Sequence, residues 1–178
     1  MKSLNHFKAN LSKGLAKTSL MDVIIMPPQV LKNEDTEFLS FKCESADLPG
    51  KTFGVDTRTD YVISSKHPYG MTFTDLNLTF ICSSNMAERQ YFDKWMEHII
   101  TTGKSRSEYY ENFASDKIMV NLYTGRNESE KSCTFTFKKI FPTTLTAQNV
   151  SWTDDNILKL TVSFAYEYWS VEYFSNEK

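Results

Sequence analysis

Side chains able to do acid–base, nucleophilic or metal chemistry are few in this chain and do not cluster. His6, His67 and His98 are its histidines. None has a sequence neighbour of the kind that orients an imidazole in a general base or triad. His98 follows Glu97 on a predicted helix, where both face water. Cys43, Cys82 and Cys133 lie far apart, each inside an apolar stretch and without metal-ligand spacing. They read as buried, reduced thiols of a reducing compartment. Asp154-Asp155 has the look of a metal pair, but Thr153-Asp154-Asp155-Asn156 has the composition of a solvated turn. No nucleophile elbow, zinc-protease, phosphate-loop or dinucleotide fingerprint is present. The sequence therefore nominates no catalytic, cofactor-binding or metal-binding residue. Two acidic–aromatic patches remain, Glu108-Tyr109-Tyr110-Glu111 and Tyr166-Glu167-Tyr168-Trp169. The first reads as a loop fastener. The second suits a carbohydrate platform, a subunit interface or, most simply, a strand with its aromatic face turned inward.

Composition says what such a chain is built for. Its 20 basic and 22 acidic side chains leave a net charge of -2, which excludes the strongly basic face of a dedicated nucleic-acid binder. Its 13 Phe, 9 Tyr and 3 Trp stand beside only 6 Gly and 5 Pro, a balance that favours strands, dense packing and association. A single domain of 178 residues buries roughly 70% of its unfolded surface and needs no disulfide or metal. The first 21 residues carry scattered lysines and no apolar core, so a secretory leader is not expected. No apolar run approaches the ~20 residues of a membrane span. The expectation is a protein made inside the cell.

The periodicities place the elements. Residues 1–18 carry Leu4, Phe7, Leu11 and Leu15 on one helical face, an arm that either frays alone or docks on something such as a neighbouring subunit. Ser19–Met26 predicts a strand ended by Pro27-Pro28. Glu37–Glu44, with Leu39, Phe41 and Cys43 alternating with polar residues, predicts a second. From Lys51 to Tyr69 β-forming residues continue without apolar alternation, up to a turn at Pro68-Tyr69-Gly70. Such an excursion projects from the body. Thr72–Cys82 is the clearest strand, with Leu76, Leu78, Phe80 and Cys82 on one face. A helix follows, with Asn85 and Glu88 placed for a capping box and Gly103 as its stop. Its stripe is Tyr91, Phe92, Trp95, Met96, Ile99 and Ile100, which should lie across the sheet. Lys117–Tyr123 and Ser132–Phe141 predict a hairpin turning at Gly125-Arg126-Asn127. Cys133, Phe135, Phe137 and Phe141 share one of its faces, and Pro142 interrupts it. Ile157–Trp169 predicts one long last strand, with Leu158, Leu160, Val162, Phe164, Tyr166 and Tyr168 together on one face. A sheet of this size with one long helix has edges to cover, and joining copies edge to edge would cover them.

Several motifs in register resemble the tail tube proteins of T4-like contractile-tailed phages. They are Phe41-Lys42-Cys43-Glu44-Ser45-Ala46-Asp47-Leu48-Pro49-Gly50; Met71-Thr72-Phe73-Thr74-Asp75-Leu76 leading through Ala87-Glu88-Arg89 to Phe92-Asp93-Lys94-Trp95; the Tyr109-Tyr110 pair; and Ile140-Phe141-Pro142-Thr143, Val150-Ser151-Trp152 and the closing Tyr166-Glu167-Tyr168-Trp169. The match runs over about residues 18–170 and is poorest at 27–36 and 51–68. The resemblance implies a mainly β protomer with one flanking helix, a sandwich or barrel spanning 19–170 between the arm and a short tail at 171–178. It also implies hexameric rings, each copy giving four strands to a continuous barrel, stacked into a tube inside a sheath. The partners implied are further copies, the sheath protein, baseplate and terminator proteins, and DNA passing through the lumen without tight binding. No cofactor, enzymatic activity or membrane is implied.

On that reading Lys51, Phe53, Val55, Asp56, Arg58, Asp60 and Tyr61 are the inter-ring contacts. Tyr91, Phe92, Trp95 and Ile99 pack the helix on the sheet. Leu76, Leu78, Phe80, Phe164, Tyr166 and Trp169 lie on the inter-subunit strands. A polar, weakly charged or acidic lumen is expected, since each neutralised phosphate adds to binding. The alternatives are a tube initiator or terminator, the tube of an injection system, and a monomeric ligand-binding β-barrel.

Overall fold

A computed structural model describes residues 17, 19–60, 63–101, 106–124, 131–153 and 155–174. The predicted arm, Tyr61, Gly103, the Gly125–Asn127 turn and Asp154 lie outside them. The architecture follows from alternation along the strands. In β5 (Leu76–Ile81), Leu76, Leu78 and Phe80 are all fully buried while Asn77 and Thr79 face outward. Its partner β10 (Lys159–Ala165) sets Leu160, Val162 and Phe164 on the same inner face, in register Phe164↔Leu76 and Lys159↔Ile81. Because strand side chains alternate with period two, the six apolar residues form one continuous layer.

The sheet is antiparallel and runs β1–β8–β9–β10–β5–β2, with β11 added beside β9. The strands not yet given are β1 (Met21–Ile25), β2 (Cys43–Asp47), β8 (Ser115–Tyr123), β9 (Lys131–Leu145) and β11 (Tyr168–Tyr173). β9 serves two halves. Through residue 140 it pairs β8 on one side and β11 on the other, and from 141 onward it pairs β10. The change falls at Lys139, whose φ of 52° is left-handed. That residue breaks the alternation. Cys133, Phe135 and Phe137 face the core, then Ile140 does, and Phe141 turns instead to Tyr110 and Phe113. The expectation that Phe141 shares the face of Phe137 is thereby corrected. Nor does Pro142 end the strand: it pairs with Phe164, beside a bulge at Thr143.

The long helix α2 (Ala87–Ile99) crosses this layer. Tyr91, Phe92 and Trp95 are buried, Ile99 is half-buried against the core, and Ile100 has left the helix for a short strand, β6 (Ile100–Thr101). Phe92 meets Phe80 and Phe164 at ring separations of 5.2 and 5.9 Å. Trp95 also donates its indole N–H to the Phe113 carbonyl at 2.7 Å. The capping box does not form. Met86, with φ of 53°, occupies the N-cap, and Glu88 turns back to Ser83, accepting from its amide at 2.9 Å and its hydroxyl at 2.5 Å. Lys42 Nζ lies 3.2 Å from the same carboxylate.

Two further expectations are corrected. Glu37–Lys42 is a helix, α1, and the strand starts only at Cys43; Leu39 is buried, but Phe41 is 81% exposed. The last strand is broken at Tyr166–Glu167. Beyond the break Trp169, not Tyr168, faces inward, stacked on Phe135 at 5.7 Å.

Replacing Trp95 with alanine costs ~3–5 kcal/mol through the cavity opened between α2 and the sheet, measured as a lowered chemical denaturation midpoint. At Glu88 burial alone would raise the carboxyl pKa, but the Ser83 hydrogen bonds and the Lys42 ammonium outweigh it and hold it at about 2, below the ordinary 4.5. A depressed folded-state pKa stabilises the fold above pH 4.5, and that contribution fades as pH falls toward 2. Glu88→Gln is expected to cost ~1–3 kcal/mol at pH 7 and to flatten this limb, read by denaturation across pH 2–6.

Candidate functional site

The three cysteines and the histidines do not assemble a reactive centre among the described residues, where no group of metal-ligating side chains forms. Cys133 is buried, while Cys43 and Cys82 are half-buried, more open than expected. Burial, with Asp22 nearby, pushes the Cys43 thiol up to about 12. Such a thiol is a poor nucleophile. His67 sits on an exposed hairpin, 3.0 Å from the Ser65 hydroxyl.

What the surface does offer is unpaired backbone. The half-sheet β1–β8–β9–β11 ends in β1 on one side and β11 on the other. Leu20 and Met26 exchange hydrogen bonds with Tyr123 and Lys117 of β8. By the alternation of an antiparallel ladder, Met21, Val23 and Ile25 then point their amides and carbonyls away. The Ile25 carbonyl is taken by the Thr36 hydroxyl at 2.8 Å. Likewise the Phe174 amide bonds the Ser132 carbonyl, so Trp169, Val171 and Tyr173 aim theirs off the other edge. Beside the β1 edge runs a cleft of about 660 Å³ lined by Met21, Ile24, Thr36 and the exposed Phe41, among others.

The predicted strand contacts fall elsewhere. Leu76, Leu78, Phe80 and Phe164 are fully buried. Their strands β5 and β10 each pair on both sides within the chain, so they offer no edge to a neighbour. This corrects those four as interface residues. Tyr166 is half-buried, its hydroxyl on the Thr74 carbonyl, and Trp169 alone of the set belongs to an edge strand. The fully apolar alternation that singled out β5 and β10 marks burial inside the protomer. Edges carry mixed sequence, and β1 was visible only as a strand.

The predicted projecting segment is a two-stranded hairpin, β3 (Lys51–Asp60) and β4 (Ile63–Phe73), paired from Lys51↔Phe73 to Asp60↔Ile63. It forms a sheet of its own. Gly70, at φ of 54°, supplies a bulge where a turn was expected, opposite the Phe53/Gly54 step. Tyr69 lies over Gly54, where a Cβ would meet its ring at 2.8 Å. Phe53 and Val55 are exposed, as are Asp56 and Arg58. The root is fixed to the body. Phe73 packs edge-on to Trp169 at 6.0 Å, Lys51 Nζ sits 4.5 Å over the same indole, and the Gly50 amide bonds Thr74.

Solved structures share this fold at low identity. A chain of the PVC sheath–tube complex of an extracellular contractile injection system, in the extended state, is 13% identical with a TM-score of 0.64, covering 93% of this chain and 97% of its own. The tube-terminating cap of the anti-feeding prophage is 15% identical with a TM-score of 0.63, covering 90% and 93%. A sheath/tube terminator of the PVC system, also in the extended state, is 14% identical at 0.63, covering 89% and 97%. No curated protein sequence matches significantly. The family model for phage tail tube proteins matches residues 4–172, and the chain belongs to that family.

Proposed function

We propose that this chain is the structural subunit of the inner tube of a contractile phage tail, closing into hexameric rings that stack and conduct DNA. The observation that carries the reading is the pair of edges on β1–β8–β9–β11 that no strand among the described residues pairs. Four antiparallel strands are an even number, so β1 and β11 run in opposite directions. Setting β11 of one copy beside β1 of the next therefore continues an antiparallel ladder all the way round. Closure pairs both edges of this half-sheet, which an isolated copy cannot achieve. The cleft along β1 gives the incoming strand room, with Phe41 at its rim.

The face of this half-sheet turned from the core would line the lumen. Registered rows place Asp22, Asn121, Thr134 and Glu172 at one level and Lys117, Lys138 and Tyr168 at another; Asn121 and Thr134 are buried and bonded to each other, so the charged groups around them would form the lining. Lys131 reaches Asn121 on the same face. Two carboxylates against three ammonium groups make a mixed, nearly balanced lining rather than an acidic one, suited to passing DNA without gripping it. The role is structural, with no catalytic step. Relatives of the same fold come from sheath–tube, baseplate and terminator assemblies. By extension this subunit meets sheath, baseplate and terminator proteins, assembles in the host cytoplasm and ends in the virion tail.

Negative-stain microscopy over a concentration series is expected to show rings and hollow tubes; monomers at every concentration would overturn the reading. Val171→Pro removes an outward amide while the β9 ladder stays intact, a position where an edge strand tolerates proline. It should leave a folded chain that forms no rings, seen by circular dichroism and sedimentation. The hairpin is the inter-ring contact in this scheme. Deleting its tip is expected to leave single rings that no longer stack, and unchanged stacking would show that it has another role.

A further inference from the structure

The loop at residues 146–158, between β9 and β10, holds an indole out in solvent. Trp152 is fully exposed, flanked by Val150 at 79% and Ile157 at 67% exposure. Nothing about the loop's base is loose. Gln148 bonds Arg89, the Lys159 carbonyl and Cys82, while Thr146 and Leu158 join the ladders of β10 and β5 through Thr161 and Cys82. At the tip the Ser151 hydroxyl accepts from the Thr153 amide and meets the Thr153 hydroxyl at 2.8 Å, fixing the turn that carries Trp152. A large aromatic side chain presented on a braced loop has the make-up of an interface anchor.

Its complement lies on the same molecule, out of its own reach. The hairpin root joins β5 at Leu76, the end that pairs Phe164, whereas loop 146–158 enters β10 at the opposite end, where Lys159 pairs Ile81. Along the hairpin runs a groove of about 360 Å³ lined by Val55, Asp56, Arg58, His67, Pro68 and Tyr69. By strand alternation Tyr69, His67, Asp56 and Arg58 share the face on which Tyr69 lies over Gly54, with the Val55 and Pro68 side chains on the other, so an indole laid in the groove would rest on the Tyr69 and His67 rings beside the Arg58 guanidinium that Asp56 holds at 3.5 Å. Formal charges agree in sign. Residues 146–158 carry Asp154 and Asp155, whereas residues 51–73 carry Lys51, Arg58 and Lys66 against Asp56 and Asp60. Complementary patches at opposite ends of one chain make a head-to-tail contact that repeats without closing.

We propose that Trp152 seats in the hairpin groove of a second copy of this chain in the adjacent ring, making loop 146–158 the receptor for the stacking hairpin. This rests on the tube reading above. Trp152→Ala in the full-length chain is expected to form single rings while raising the concentration needed for stacks by roughly 30-fold or more; Trp152→Phe should restore much of it. In oxidising buffer, His67→Cys combined with Trp152→Cys should give disulfide-linked ladders of subunits, which neither single variant gives. Wild-type protein that forms no rings would defeat the tube reading itself. Wild-type stacks with unaltered Trp152→Ala stacking, loss of the rings themselves in that variant, or no ladder from the double-cysteine chain would each overturn this contact alone.

Discussion

A strand edge is a row of donors and acceptors that must be paired, hydrated or hidden, and the organisation of this molecule follows from having two of them in one half-sheet. In the other half, β10 and β5 are enclosed by β9 and β2, and α2 seals their apolar layer with Phe92 and Trp95. That half holds most of the fully buried residues and has the character of an ordinary core. In the β1–β8–β9–β11 half, the outer strands are short and their outward backbone groups are mostly unclaimed. The protomer separates a closed half from a half with open edges, and the long strand β9 belongs to both.

The left-handed residue Lys139 is what allows one strand to serve two duties. Without it β9 would keep a single alternation along its length, and either Phe137 or Ile140 would face the wrong way. With it, Phe137 packs under Trp169 while Ile140 remains in the core, and Phe141 is released to hold Tyr110 and Phe113. The break at Tyr166–Glu167 plays the matching part on the return strand, moving the chain from the inner partner β5 to the outer edge. Tyr166 pins that corner to the hairpin root through Thr74.

These two irregularities also mark where the sequence stops being legible. Clean alternation at Leu76, Leu78 and Phe80 and the helical stripe at Tyr91, Phe92 and Trp95 were sufficient to place the core, because burial imposes period two or 3.6 directly on residue type. Lys139 carries no such signature: a lysine gives no sign of a positive φ, so Phe141 read as continuing the face of Phe137. Leu39, Phe41 and Cys43 counterfeited a strand because a short helix with one buried residue needs no stripe, and Phe41 shows that an apolar residue can stand in water where its only apparent use is outside the chain. The sheet edges were misplaced for a related reason. Hydrophobic alternation reports burial within the protomer, whereas an edge is defined by which backbone groups lack partners, and only the pairing pattern reveals that.

A backbone ladder asks for strand geometry and little else, so its side chains are free to change. That accounts for a fold shared at 13–15% identity with chains of the PVC sheath–tube complex and of the anti-feeding prophage cap. Side chains outside the ladders have a different task. This chain presents exposed apolar groups at both ends of the β5–β10 pair, Phe53 and Val55 on the hairpin and Val150 and Trp152 on the far loop. Apolar groups held in water gain by being covered, so the specificity that backbone ladders do not demand is left to the side chains of these two segments.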